Sequence, residues 1–330
     1  MITDNLLLWP QWPEALQQVD IVQARFDLGF ISPCQVQPAD FLGIGRRLRI
    51  AARQIFDAND IAADREWQRL FQPALSDDPV AQRKFQKPAP AFVVTMPIIQ
   101  EQLFADGDRL ELEVLFIGTG IPFIHDFLRS LMRLGDLGLV NGEGNFVVTE
   151  VYHRHADHST SLAWCQSESP ESLACAVQPL TWVLQRQGVT SKISIKYLTP
   201  TRLMVDGKPL RKPSFFQVFP FMLRRATSML YAHCGVEVLD DPAQILGLAR
   251  ELDVLDVQLR WQDWRTLSTR QGLALGGFVG EMTLAGRALE ELYWVLAVAS
   301  LFGIGKGATY GAGRFEISSE SSLLPFKCSL

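Results

Sequence analysis

The chain has 330 residues, 48% of them hydrophobic and 20% charged, which excludes a disordered polymer and leaves room for two domains of ordinary size. A formal net charge of −5 excludes a body-wide basic field, so any contact with nucleic acid must come from local patches. Five scattered cysteines (Cys34, Cys165, Cys175, Cys234, Cys328) without a C-x-x-C pair suggest neither a disulfide framework nor a cysteine zinc site, and they fit a reducing cytoplasm.

Residues 1–10 lack a basic lead and a small-residue cleavage site, and no apolar run reaches the roughly 18 residues of a membrane span, so no targeting segment and no membrane partner are expected. Val19 to Phe30 alternates as a strand and ends at Ser32-Pro33. Asp40 reads as the N-cap of a helix from Phe41 to Phe56, whose apolar residues fall at helical spacing. On it Arg46, Arg49 and Arg53 share one face with Arg47 beside them, and no acidic residue intervenes. A solvated helix face is one reading of this stripe; a phosphate backbone is the other.

Residues 57–90 read as a polar, proline-punctuated insertion with one short helix around Trp67 to Phe71. Ala91 to Met96 and Arg109 to Ile117 look like two strands joined at the Asp106-Gly107-Asp108 turn. A helix follows from Ile121 to Leu134, with Pro122 in its first turn, then a glycine loop from Gly135 to Gly144 and a strand from Asn145 to Tyr152. The boundary is expected in the loop-like stretch 166–179. Beyond it come a strand at Ile193 to Leu198, a basic turn (Lys208, Arg211, Lys212), a helix from Ser214 to His233, and strands at Val254 to Trp264 and Gly276 to Leu284. A helix from Leu289 to Phe302, the loop Gly303 to Gly313 and a closing strand complete the chain.

Each half therefore fits β-α-β-β-α-β. The expectation is an α+β protein of two tandem ferredoxin-like domains, spanning 1–165 and 180–330, each with a glycine loop between its last helix and last strand. In the second loop, Gly303-Ile304-Gly305 and Gly311-Ala312-Gly313 bracket Lys306. Backbone without Cβ atoms suits close approach to a phosphate chain, and a flexible turn is the plainer reading.

This loop, Ser268-Thr269-Arg270-Gln271-Gly272 and Gly276-Gly277-Phe278-Val279-Gly280 together resemble the RAMP superfamily, and within it the Cas-six family of CRISPR-associated endoribonucleases. The resemblance is clearest from Leu259 to Ile317. It implies binding of a CRISPR repeat hairpin and cleavage of precursor CRISPR RNA by attack of the 2′-OH, without metal or cofactor, leaving a 2′,3′-cyclic phosphate and a 5′-OH. It implies RNA contacts at Arg46, Arg47, Arg49, Arg53, Arg270, Gly303, Gly305, Lys306, Gly311 and Gly313, with other CRISPR effector subunits as further partners. A non-catalytic RAMP-type scaffold that holds processed RNA is the alternative.

Many members of that family carry a histidine in or near the first helix as general acid or base, and here no histidine precedes His125. Three of the five histidines cluster in His153-Arg154-His155-Ala156-Asp157-His158. The cluster has three readings: an exposed loop, a replacement acid/base at His153, His155 or His158 (a role His125 of the second helix could equally take), or the H-x-H-x-D-H zinc motif of a metallo-hydrolase, which needs further distant ligands.

Overall fold

The computed structural model describes residues 7–56, 60–74, 77, 79, 85, 88–95, 97, 100–184, 189–265 and 274–319. The first half builds β1 (Asp20–Phe30), α1 (Ile44–Arg53), α2 (Ile61–Phe71), β2 (Phe92–Val94), β3 (Arg109–Ile117), α3 (Ile124–Leu137), β4 (Phe146–Arg154) and β5 (Thr160–Cys165). Its strands lie side by side in the order β2-β3-β1-β4-β5, all antiparallel. The second half builds β6 (Lys192–Thr201), α4 (Phe215–Cys234), α5 (Pro242–Leu248), β7 (Asp253–Arg265), β8 (Ala274–Ala285), α6 (Leu289–Phe302) and β9 (Phe315–Ser319), with its strands in the order β7-β8-β6-β9. Leaving out β5, both sheets place the last strand beside the first and the third between first and second, which is the ferredoxin-like arrangement twice over.

Alternation fixes which face of each sheet is covered. On β1, Val22, Ala24, Phe26, Leu28 and Phe30 enter one apolar core, with Phe26 opposite Leu112 and Val151. Phe127 of α3 meets Phe26, Phe92 and Phe116 there, at ring centroids 5.0 to 5.4 Å apart. The other face of β1 carries Gln23, Arg25 and Asp27.

The second core is organised on α6. A helix that is apolar all round must be covered all round, and Leu292, Trp294, Val295, Leu296, Val298 and Ala299 are all buried. Its core includes Leu16, Val19, Ile21, Leu115 and Ile117 from the first half, so the two sheets are welded together across this helix. The N-terminal arm crosses to the second half as well: Leu7–Leu8 pairs with Val189–Thr190, and Trp12 meets Tyr293 edge-on.

Several local expectations are corrected. The first helix breaks at Gly43. Gln37 is the cap of a short turn of helix, Pro38–Leu42, and Asp40 is its third residue, accepting from the Gln37 N–H at 2.9 Å. The Asp106-Gly107-Asp108 turn does not join β2 to β3. It leads into β3 from a separate short strand, Gln102–Phe104, which pairs with Cys34–Val36. The fifth strand β5 and the helix α5 were not foreseen, and Gln178–Pro179 pairs with the start of β1 inside the stretch read as a loop. Among the described residues no helix is long and apolar enough to cross a membrane.

His233, near the end of α4, pins the halves together. Its Nε2 lies 2.9 Å from the Ala89 carbonyl, which can only accept, so Nε2–H donates there and Nδ1 accepts from the Thr119 hydroxyl at 3.0 Å. Burial pushes its pKa from 6.5 down to about 4. The unfolded chain therefore takes up this proton first as pH falls, and the stabilisation that is complete above pH 6.5 is lost progressively toward pH 4, on the order of 3 kcal/mol. Urea midpoints across that window should fall with pH, with a shallower slope in His233→Gln; equal slopes in the two proteins would remove His233 from this role.

Candidate nucleic-acid interface

The loop Gly303 to Gly313 is shaped by five glycines with left-handed φ, namely Gly303, Gly305, Gly307, Gly311 and Gly313. At Gly313 a Cβ would lie 1.8 Å from the Ile304 carbonyl oxygen, which leaves no room for any other residue. The N–H groups of Ile304, Lys306, Ala308, Tyr310, Gly311, Ala312 and Gly313 all donate to carbonyls within the protein. The loop's amides thus largely fix its own shape, and its exposed tip is Gly305-Lys306-Gly307. Beneath it, Arg225 of α4 is buried and donates to the Phe302 carbonyl at the C-terminal end of α6 and to the Thr309 hydroxyl. A cation suits a helix C-terminus, and burial lowers the Arg225 pKa only to about 10, so the charge persists. Arg225 is therefore an internal strut and not a surface phosphate contact.

From this loop Tyr310 projects onto α1. A Cβ at Gly45 would meet the Tyr310 ring at 2.3 to 2.5 Å, so only glycine lets the ring seat there. Phe92 meets the ring edge-on at 6.0 Å. The Tyr310 hydroxyl is buried without a partner among the described residues, and burial, opposed by the nearby Arg49 charge, raises its pKa to about 12.

The arginines of α1 divide at this junction. Arg49 donates Nε–H to the Gly45 carbonyl at 3.0 Å, beside Tyr310, and Arg46 is exposed. Arg47 turns inward to the Asp40 carbonyl, and burial lowers its pKa. Arg53 pairs with Asp64 at 2.5 Å and lies 3.4 Å over the Trp67 ring. The expected four-residue stripe is thus one exposed cation, Arg46, one half-buried cation folded back on its own helix, Arg49, and two turned to Asp40 and Asp64. Lys306 donates its N–H to the Arg202 carbonyl, which brings Arg202 to the loop tip. Arg211 lies 5.0 Å over the Trp261 ring, while Trp264 on the same strand packs into the first core. The glycines of β8 permit these approaches: a Cβ at Gly276 would strike Asp263 and Trp261, and one at Gly277 would strike the Pro200-Thr201 backbone. Arg270 and the Ser268 to Gly272 segment lie outside the described residues.

The loop's other side faces a cleft of about 520 Å³ between the halves, whose walls include Arg25, Glu113, Arg154, His158, Gly311 and Arg314. Of the three histidines of the cluster, two stay together here and one departs. His153 lies within β4, one residue past the expected strand end, facing the first core. It is 2% exposed, with both ring nitrogens unpartnered among the described residues, and burial lowers its pKa. His155 meets the His153 ring edge-on at 4.4 Å and bonds the Ser161 hydroxyl at 2.9 Å. His158, at φ 68° in the β4–β5 turn, lines the cleft. The turn thus separates His158 from the touching rings of His153 and His155, and among the described residues no group of three or more His, Cys, Asp or Glu converges as a metal site.

Residues 195–315 match the family model for the CRISPR-associated endoribonuclease Cas6, and residues 57–173 match a second model described as an N-terminal domain. Among solved structures, a Cas6 (TTHB231) product complex is 17% identical, covering 90% of this chain and 99% of that one, with a TM-score of 0.50. Thermus thermophilus Cas6 (TTHB231) is 16% identical over 91% of this chain and 99% of that one, at a TM-score of 0.48. A partial Cas6-RT-Cas1–Cas2 complex is 12% identical over 96% of this chain and 47% of that longer one, at 0.54. Comparison with curated protein sequences returned no match. The Cas6 match runs from β6 to the first residue of β9, so the second half of the chain resembles the CRISPR-associated endoribonuclease Cas6, and the similar solved structures share the doubled ferredoxin-like fold.

Proposed function

We propose that this protein binds the repeat of precursor CRISPR RNA inside the cell and cleaves it without a metal ion. The observation that carries this reading is the junction of the two halves, where Tyr310 seats on Gly45 with Arg49 beside it and Lys306 stands at the tip of the same loop. An otherwise acidic chain places cations from two domains at one seam, which suits a phosphate backbone followed by charge and shape. The resemblance of residues 195–315 to the CRISPR-associated endoribonuclease Cas6 supports RNA as the ligand, and the similar Cas6-RT-Cas1–Cas2 complex supports other CRISPR proteins as partners.

In the reaction a general base removes the 2′-OH proton and the oxygen attacks the adjacent phosphorus. The bond to the 5′-oxygen breaks, and an acid protonates that oxygen. Arg46, Arg49 and Lys306 are assigned to the charge that builds on the phosphorane, where a fixed donor contributes most. Of the three clustered histidines, His158 is assigned as acid/base because it alone lines the cleft on the loop's other side, an assignment that requires the RNA to pass over the loop from the seam into that cleft; His153 is interior and His155 is engaged by Ser161. Absence of a histidine from the Gly45–Tyr310 junction favours the second reading, a scaffold that binds RNA without cutting it.

Incubation with a repeat RNA in EDTA, beside the same RNA carrying a 2′-deoxy at the cut nucleotide, separates the readings. Cleavage of the ribose substrate alone is expected. Binding without cleavage would establish the scaffold, and loss of cutting in EDTA would establish a metal mechanism. Arg49→Ala should slow cleavage roughly 100-fold, and His158→Ala should do so by a similar factor of about 100; undiminished cutting by His158→Ala removes that assignment. Gly45→Val should weaken RNA binding by displacing Tyr310, and adding Tyr310→Ala should restore part of it; strict additivity of the two changes would show that the contact does not shape the site.

A further inference from the structure

Arg225 is a buried cation without a full counter-charge. It is 7% exposed, burial alone acts on its pKa, and no carboxylate pairs with it among the described residues. Its partners are neutral: Nη2 donates to the Phe302 carbonyl at 3.3 Å and to the Thr309 hydroxyl at 3.5 Å. His233 feels the Arg225 charge and is itself held neutral, with its pKa pushed down to about 4. The C-terminal end of α6 offers about half a unit of negative charge. An ionised group inside a protein is normally paired or ion-bound, because its lost hydration has to be replaced.

Two donors on this face of α4 have no acceptor. Arg225 Nε–H is sealed from solvent without a partner among the described residues, and so is the Ser228 hydroxyl. Ser228 is 5% exposed and stands three residues further along α4, so both side chains leave one face of the helix. A hydroxyl inside a helix can return to the carbonyl four residues back. Ser130 does so to Asp126 at 2.8 Å, and Thr227 does so to Leu223 at 2.9 Å. Ser228 does not. A buried water could accept from both donors, yet it would leave the charge in place. A cationic N–H and a hydroxyl on one buried face suit an acceptor that is itself negative.

We propose that Arg225 and Ser228 hold a chloride ion in the interior of the second domain, beneath the glycine loop. The closed surroundings fit a monatomic anion and not a phosphodiester. The ion completes the strut, since it offsets the guanidinium whose Nη2 ties the end of α6 to Thr309 of the loop. The proposal does not rest on the RNA-processing reading.

Urea unfolding of the full chain in chloride–gluconate mixtures of constant ionic strength tests it, together with crystals of the unaltered protein soaked in bromide. Once the site fills, the apparent unfolding constant at fixed urea should fall about tenfold for each tenfold rise in chloride. Ser228→Ala keeps the guanidinium and should need roughly tenfold more chloride for the same effect. Arg225→Met should abolish the dependence. Bromide should give an anomalous-scattering peak in contact with Arg225 Nε and the Ser228 hydroxyl, a readout that needs no variant. Absence of that peak, a chloride dependence unchanged in Ser228→Ala, or a peak without any chloride dependence, which marks an adventitious ion only, would each overturn the proposal.

Discussion

The ring of Tyr310 lying on the bare backbone of Gly45 is the contact on which the rest of the candidate site depends. It joins the last loop of the second domain to the first helix of the first, and it exists only because one side has no Cβ. The loop must also be rigid for the ring to arrive there. That rigidity comes from left-handed glycines, from amides spent on internal carbonyls, and from the buried Arg225 beneath. Leaving the Tyr310 hydroxyl buried and unpartnered costs about 1–3 kcal/mol, a cost offset by burial of its ring between Gly45 and Phe92.

Electrostatics separates the two sides of this loop. On the cleft side the arginines stand beside carboxylates: Arg25 with Asp27 at 2.9 Å, Arg154 with Glu113 at 2.7 Å, and Arg314 with Glu316 at 2.9 Å. Burial raises the Asp27 pKa despite its arginine neighbour. Such a wall is close to neutral. On the α1 side, Arg46 and Arg49 have no acidic residue on their own helix. A chain of net charge −5 can therefore still attract a polyanion at this seam.

The doubled fold was legible because its signals are local. Alternation marked β1 and β7, a continuous apolar run marked α6 at its observed bounds, and turn residues marked the two glycine loops. Features set by distant partners were not legible. Gly43 breaks the first helix where Asp40 closes a capping box on Gln37, and Arg47 and Arg53 turn to Asp40 and Asp64. Nothing in the order of residues said that Gly45 would receive a ring from position 310. The histidine cluster misled in the same way: spacing suggested a shared site, whereas strand alternation buried His153 and the turn carried His158 to the cleft. The excess of glycine in β8 was a usable signal, since Gly276 and Gly277 mark close approach by Trp261 and by the backbone of Thr201.

The central claim is that one RNA backbone is held by both domains at the Tyr310–Gly45 seam. Photo-crosslinking of a repeat RNA to the protein, with the linked peptides read by mass spectrometry, addresses it most directly. The account requires crosslinks from the same RNA region to peptides of α1 around Arg46 and Arg49 and to the loop tip around Lys306. Crosslinks confined to one domain, or falling on neither segment, would contradict it.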